Sequence, residues 1–298
     1  KEDNLDVEFE YFSCQQQNPQ KTDLGQVSVN FFKKNGDLKI KIDKKELDLP
    51  QKFEITRDKI LPLFFDKMEV PEDKLIIETP LASVIEPSLD NFIKGISIYN
   101  INPTLPRKST SITGKAELEE DAGNLPIVLK RILSHQDSKR KFTNIINDIL
   151  PFIKEICVEK FSDKSLLLKL KETYNEKGFI PASLISDGTI NITALVAALY
   201  FEDKNVAIIE EPERNIHPSL ISKVVEMFCD AASSKQIILT THNPEIVKYI
   251  ELKNLFLVHR KQNGFSCITK PAEKKEVKLF LNNDMGIDEL YIQNLLEV

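Results

Sequence analysis

Val7, Phe9 and Tyr11 fall at every second position, as do Val27, Val29 and Phe31 and then Leu38, Ile40 and Ile42. A period of two predicts antiparallel strands with one buried face. Asn35-Gly36 separates the last two runs, and that dipeptide readily adopts the positive φ angles of a type I′ turn, so a hairpin within a meander is predicted. No polar cluster converges on this wall. Between Gln51 and Pro106 the pattern breaks into short apolar strands, Leu75 to Ile77 and Ile96 to Tyr99, interrupted by Pro62, Pro71, Pro80, Pro87, Pro103 and Pro106. This is a loop-rich middle.

From Leu125 the period becomes helical. Leu125, Val128, Leu129, Ile132 and Leu133 mark one stripe, and Phe142, Ile145, Ile146, Ile149 and Ile153 another, which predicts two packed helices. The basic run Lys139-Arg140-Lys141 lies between them and reads as a solvated cap that could also touch a phosphate backbone. A strand pair follows, Ile156 to Phe161 and Leu166 to Leu170, leading through Glu176-Lys177-Gly178 into a stretch where strands and helices alternate. Val206 to Ile209 and Gln236 to Leu239 are unbroken apolar runs of the kind buried on both faces. A helix from Pro218 to Phe228 separates them, with Pro218 in its first turn. Two such strands joined by a helix make a parallel βαβ unit, whose polar groups gather at the C-terminal strand ends.

Composition narrows the class. A chain of 298 residues with 41% apolar side chains can bury a substantial core. No apolar run reaches about 18 residues and no charged-then-apolar leader opens the chain, so a cytoplasmic protein without a membrane partner is expected. The net charge of -6 argues against a wholly nucleic-acid-coating protein. Cys14, Cys157, Cys229 and Cys267 have no paired spacing and read as reduced thiols. Lys1 stands directly before a predicted strand, so the chain is expected to begin inside a fold.

Three clusters carry candidate chemistry. The first buried strand ends in Glu210-Glu211-Pro212-Glu213. Adjacent acids on an extended chain point to opposite sides, so Glu210 can hold a hydrated magnesium ion while Glu211 orients an attacking water. The second ends in Thr240-Thr241-His242-Asn243-Pro244, which brings an imidazole to the same sheet edge, able to donate to a phosphate oxygen. The third is Ser186-Asp187-Gly188-Thr189 before a helix striped with Ile192, Leu195, Val196 and Leu199. Ser186 offers a hydroxyl, Gly188 permits close backbone approach, and the free N–H groups of a helix start favour an anion, although a plain N-cap would look the same.

In this order the three clusters resemble the C-terminal half of the ABC ATPase family: signature motif, Walker B with catalytic Glu, D-loop and switch His. The wording of residues 183 to 189, 208 to 218 and 240 to 244 is similar to the RecF-like and OLD-like ATPases described as AAA domains. The stretch Leu118 to Leu125 resembles their acidic-Gly-Asn-Leu lead into a helix.

The resemblance implies an α/β, ABC-ATPase-like P-loop NTPase fold with an N-terminal antiparallel β meander, a helical insert and a C-terminal parallel βαβ core. Its expected divisions are a meander lobe (1–105), a helical and signature subdomain (106–180) and a nucleotide-switching lobe (181–298), together one ATPase domain. It also implies ATP and Mg2+ as ligands, with Glu210 serving the metal through water, Glu211 polarising the attacking water and His242 sensing the γ-phosphate. Ser186, Asp187 and Gly188 would reach the nucleotide of a second subunit, and Glu213 to His217, with Arg214 or Asn215 crossing the interface, would report one site to the other. Asp187 replaces a Gly that many relatives carry, a form familiar in the RecF-like branch.

Expected partners are a second copy of the chain in a dimer or higher homo-oligomer, a nuclease or toxin effector in antiphage defence, and DNA as a further candidate. Alternatives are RecF-like DNA repair, a metal-dependent nuclease using Glu210, Glu211, His217 and His242, and a non-hydrolytic scaffold. One motif is missing: no G-x-x-x-x-G-K-[ST] string occurs. Thr113-Gly114-Lys115-Ala116 lacks both its first Gly and its terminal hydroxyl. In the family it resembles, the phosphate-cradling loop lies near the N-terminus, just before the meander, so the resemblance implies a loop expected upstream of Lys1. The apolar residues from Phe280 to Val298 are expected to pack on the domain or on a partner.

Overall fold

A computed structural model describes residues 26–34, 37–45, 87–175, 178–261, 264–282 and 285–297. The chain divides into two units, Lys1–Ile93 and Lys94–Val298. In the first, β1 (Gln26–Lys34) and β2 (Asp37–Lys45) pair antiparallel in the predicted register, with Val29 opposite Ile42 and Phe31 opposite Ile40. The Asn35-Gly36 turn and the strands expected at Val7 to Tyr11 and Leu75 to Ile77 lie outside the described residues. Helix α1 (Pro87–Lys94) leads toward the second unit.

The second unit is built around a parallel sheet in the order β3 (Ile96–Tyr99), β8 (Val206–Glu210), β9 (Gln236–Thr240). The β8–β9 pair is the predicted βαβ unit, with α5 (Ile221–Ala231) as its crossover. A short 3-10 turn, Pro218–Leu220, precedes α5, so Pro218 begins the turn and not the α-helix itself.

Tyr99, Ile209 and Leu239 lie side by side in the register and face the core. Ile98, Ile208 and Ile238 form the neighbouring row on the other face. Ile98 and Ile238 are 47% and 42% exposed, and β9 alternates exposed and half-buried along its length. The expectation of burial on both faces therefore holds for β8 and fails for β9. A run of apolar residues reports strand propensity, whereas two-sided burial depends on layers that no single run encodes.

Helix α4 (Asp187–Tyr200) is buried along nearly its whole length, from Thr189 to Leu199. Packed around it are α2 (Leu125–Ser134), α3 (Gln136–Ile149) and α5. Ile153, placed by the sequence on the stripe of α3, instead opens strand β5 (Ile153–Ser162). Lys139-Arg140-Lys141 lies inside α3 and not between two helices. Lys141 rests its ammonium over the rings of Tyr200 and Phe201, at 5.4 and 5.6 Å from the centroids, a stem-down use of a long cation.

β5 pairs with β6 (Ser165–Glu172), which also pairs with two short strands, β4 (Thr110–Ser111) and β7 (Ile180–Pro181). The lead into α2 is knitted by Asn124, 2% exposed. Its Oδ1 accepts from the Glu119 amide, and its Nδ2 donates to the carbonyls of Lys115 and Glu117.

The tail builds a smaller core around Val277, Leu290 and Leu296. It combines the hairpin β10 (Leu257–Arg260) and β11 (Ser266–Thr269) with helices α6 (Pro244–Val247), α7 (Lys275–Asn282) and α8 (Ile287–Ile292). Part of the apolar stretch after Phe280 is thereby used within the chain itself. Among the described residues no helix is long and apolar enough to cross a membrane, and Cys157, Cys229 and Cys267 are free thiols.

One buried charge makes a testable demand on this core. Glu202 is 4% exposed, and Arg131 meets its Oε1 at 2.7 Å. Burial pushes the Glu202 carboxyl above the usual carboxylate range, and Arg131 pulls it back. Arg131→Met leaves the carboxylate enclosed and unpaired and should lower stability by about 2 kcal/mol at neutral pH. A carboxyl raised in the folded state favours folding at acid pH, and that contribution is lost as pH rises above the ordinary carboxylate range through the raised folded value. The deficit of Arg131→Met should therefore shrink in urea titrations run at acid pH; a pH-independent deficit would assign it to packing alone.

Candidate functional site

Parallel pairing brings the ends of three strands together. β8 ends at Glu210, opposite Thr240 at the end of β9, and Asn100 follows directly on β3. Asn100 Nδ2 donates to Glu210 Oε2 at 2.9 Å. Both side chains present hard oxygen atoms at an accessible edge, the donor type that suits a hydrated magnesium ion held through water. Asn100 escaped the sequence reading because its only local signal is a polar residue after a short strand.

Glu211 stands outside the strand, at a φ of 41°, a left-handed conformation uncommon for a residue with a side chain. Its amide donates to the Thr240 carbonyl at 3.0 Å, which pins the turn to β9. The carboxylate is turned toward Arg214 and His242. Arg214 donates to Oε2 from Nε at 3.2 Å and from a terminal guanidinium nitrogen at 2.6 Å. His242 Nε2 lies 3.9 Å from Oε1, beyond direct bonding but close enough for both groups to touch one water or one phosphate oxygen. The Arg214 hydrogen bond holds the Glu211 carboxyl below the usual carboxylate range. The carboxylate is therefore ionised at neutral pH and placed to orient water.

His242 itself is 88% exposed and hangs from a well-tied loop. Thr241 Oγ1 donates to Glu213 Oε1 at 2.6 Å and accepts from the Asn243 amide at 2.9 Å. Asn243 then caps α6 through the Glu245 amide.

The third cluster sits beside the same loop. Ser186 is the N-cap of α4: its Oγ accepts from the Thr189 amide at 3.2 Å and lies 2.8 Å from Thr189 Oγ1. Asp187 meets Arg107 at 2.8 Å, and Arg107 also donates to the Ile185 carbonyl, so a residue from the loop after β3 clasps the start of α4. Gly188 allows a close approach, and the group that approaches is this chain's own backbone. A Cβ there would lie 2.5 Å from the Asn215 carbonyl oxygen. Asn215 has a φ of 64°, tolerable for its residue type. His217 caps its own short turn, with Nδ1 2.8 Å from Ser219 Oγ. Among the described residues no group of three or more His, Cys, Asp or Glu is arranged to hold a metal ion.

Glu210, Glu211 and His242 thus share one sheet edge, with Arg214 on Glu211. Asp187, Gly188 and Asn215 meet at the start of α4. A polar cleft of ≈ 610 Å³ is lined among others by Asn100, Asn102, Asp187, Arg214 and Asn215, the neighbours of Glu210, Glu211 and Gly188. Ser186 and His217 are engaged in local capping at the margins.

Solved structures with a related outline are SMC ATPase heads. One, described under ATP-driven dimerization and DNA stimulated activation of SMC ATPases, shares 15% identity and a TM-score of 0.39, over 54% of this chain and 97% of its own. The Smc head domain of Pyrococcus furiosus bound to the C-terminal domain of ScpA shares 16% identity and a TM-score of 0.36, over 55% of this chain and 45% of its own. The SMC head domain from Thermotoga maritima shares 12% identity and a TM-score of 0.38, over 82% and 69%. No curated protein matches the chain. Residues 41–248, more than half of the sequence, match the family described as "AAA domain, putative AbiEii toxin, Type IV TA system", and the chain belongs to that family of ATPase-type nucleotide-binding domains.

Proposed function

We propose that this chain belongs to an ATP-hydrolysing, ABC-type domain of the RecF-like and OLD-like group, with residues 181–298 as its nucleotide-switching lobe, which dimerises around nucleotide and regulates a nuclease or toxin effector in antiphage defence. The observation that carries the reading is the convergence of Glu210, Glu211 and His242 on one edge of a parallel sheet. Phosphoryl transfer asks mainly for positioning and charge stabilisation. Glu210, steadied by Asn100, would hold magnesium through water, and bound magnesium supplies charge neutralisation on the phosphate oxygens. Glu211 would polarise the attacking water with the oxygen that Arg214 leaves open, while His242 donates to the γ-phosphate.

The dimer follows from the family resemblance, in which the Ser186 to Gly188 end of α4 addresses the nucleotide of a second copy. Arg214, Asn215 and His217 lie on the loop that would face the interface, and DNA remains a candidate ligand of the assembly. The test is analytical ultracentrifugation of the full-length protein with and without ATP and magnesium. A mass that doubles with ATP and returns after hydrolysis is the expected result. A mass indifferent to ATP, together with no detectable nucleotide binding, would discard the reading.

A further inference from the structure

Helix α4 buries few polar side chains, and two of its interior ones behave differently. Thr193 satisfies itself within the helix, donating to the Thr189 carbonyl at 2.7 Å. Asn191 reaches out of it. At 3% exposure, its Nδ2 donates to the carbonyls of Pro212 at 3.1 Å and Arg214 at 2.7 Å. An apolar side chain would suit this buried helix better, and an enclosed amide is tolerable only when its hydrogens are used. The use here is to grip the loop that carries Glu211, on both sides of Glu213.

Glu213 continues the chain of contacts. Its Oε1 accepts from Thr241 Oγ1, and its Oε2 is buried with no partner among the described residues, so its hold falls on Thr241. The Thr241 hydroxyl in turn accepts from the Asn243 amide, which fixes the backbone on either side of His242. At the near end, Gly188 lets the Asn215 carbonyl pack against the first turn of α4. Asn191 Oδ1 is likewise enclosed with no partner among the described residues, so the connection runs through Asn191 Nδ2, the Glu213 backbone, Glu213 Oε1 and the Thr241 hydroxyl.

We infer that Asn191, Glu213 and Thr241 are positioning residues that tie the Glu211 loop and the His242 loop to the N-terminus of α4. A displacement at Ser186 to Gly188 is thereby passed to both catalytic side chains of the same copy. The catalytic part of this inference rests on the function proposed above; the mechanical link does not.

Two readouts on the full-length protein separate them. In amide hydrogen exchange without nucleotide, Asn191→Leu should raise exchange across residues 211–217 and 240–243 while residues 192–199 inside α4 stay as protected as in the wild type. In steady-state ATP turnover the same variant should lose about tenfold in kcat with KM within about twofold, the pattern of misplaced catalytic groups with intact binding. Thr241→Val, at the accessible end of the relay, should raise exchange in 240–243 and lower kcat in the same direction, and it covers the case in which Asn191→Leu fails to fold. Unchanged exchange at 240–243 in both variants, or exchange raised equally throughout α4, would overturn the link. If Glu211→Gln leaves turnover intact, the proposed catalysis fails while the exchange data still decide the relay.

Discussion

Glu211→Gln in the full-length protein is expected to lower ATP turnover at least about a hundredfold, the range for losing a positioned general base. Nucleotide affinity should hardly change, because Glu211 spends its contacts on Arg214 and on the approach to His242 and not on a binding pocket. Gln keeps the shape of the side chain and can still accept from Arg214, so the effect isolates the charge and the proton-accepting oxygen. The blocked variant should also hold the ATP-bound assembly, so the mass shift with ATP should persist where the wild type relaxes. Turnover within a few-fold of wild type would remove Glu211 from the catalytic role and shift weight to a scaffold in which ATP only joins subunits.

The second large effect is expected at Gly188. A Cβ there would meet the Asn215 carbonyl oxygen at 2.5 Å and the Ile216 Cα at 3.6 Å. The obstacle is backbone, which cannot rotate away as a side chain tip can. Gly188→Ala must therefore push the loop 211–217 off α4, at a cost of about 1–3 kcal/mol typical of overpacking. Asn191 grips the same loop from the same helix, so the shift should lengthen its bonds to Pro212 and Arg214. A lowered melting temperature and a fall in kcat beyond about tenfold should appear together. Gly188→Ala with unchanged melting and turnover would show that the loop has room the contact distances deny it. The stability half of this prediction stands whether or not the chain hydrolyses ATP.

These two positions also show how differently the site was legible. Glu211 and His242 were readable because the information is local. Each follows an unbroken apolar run, and a helix of the right length separates the runs, so parallel pairing was expected to align their ends; β8 and β9 do pair in that register. Gly188 was readable as a residue that admits close approach, but not as the place where Asn215 docks. Ser186 was readable as an N-cap, and its hydroxyl is occupied in that way.

By itself the sequence determined the order of the main strands and helices between Leu125 and Leu239, the hairpin of β1 and β2, the βαβ unit, and the acids and imidazole at its strand ends. These follow from periodicity and from residues adjacent in the chain, where propensity and alternation act directly. Only the tertiary structure decided that β9 is half open, that Asn100 reaches Glu210 across a separation of 110 positions, and that Asn191 grips a loop more than twenty residues on. The reason is physical. A buried amide or carboxylate must be satisfied, but which carbonyl or hydroxyl satisfies it depends on how layers stack and on backbone that carries no side-chain signature. Periodicity therefore located the acids and the imidazole proposed to act on nucleotide, while packing selected the groups that hold them in place.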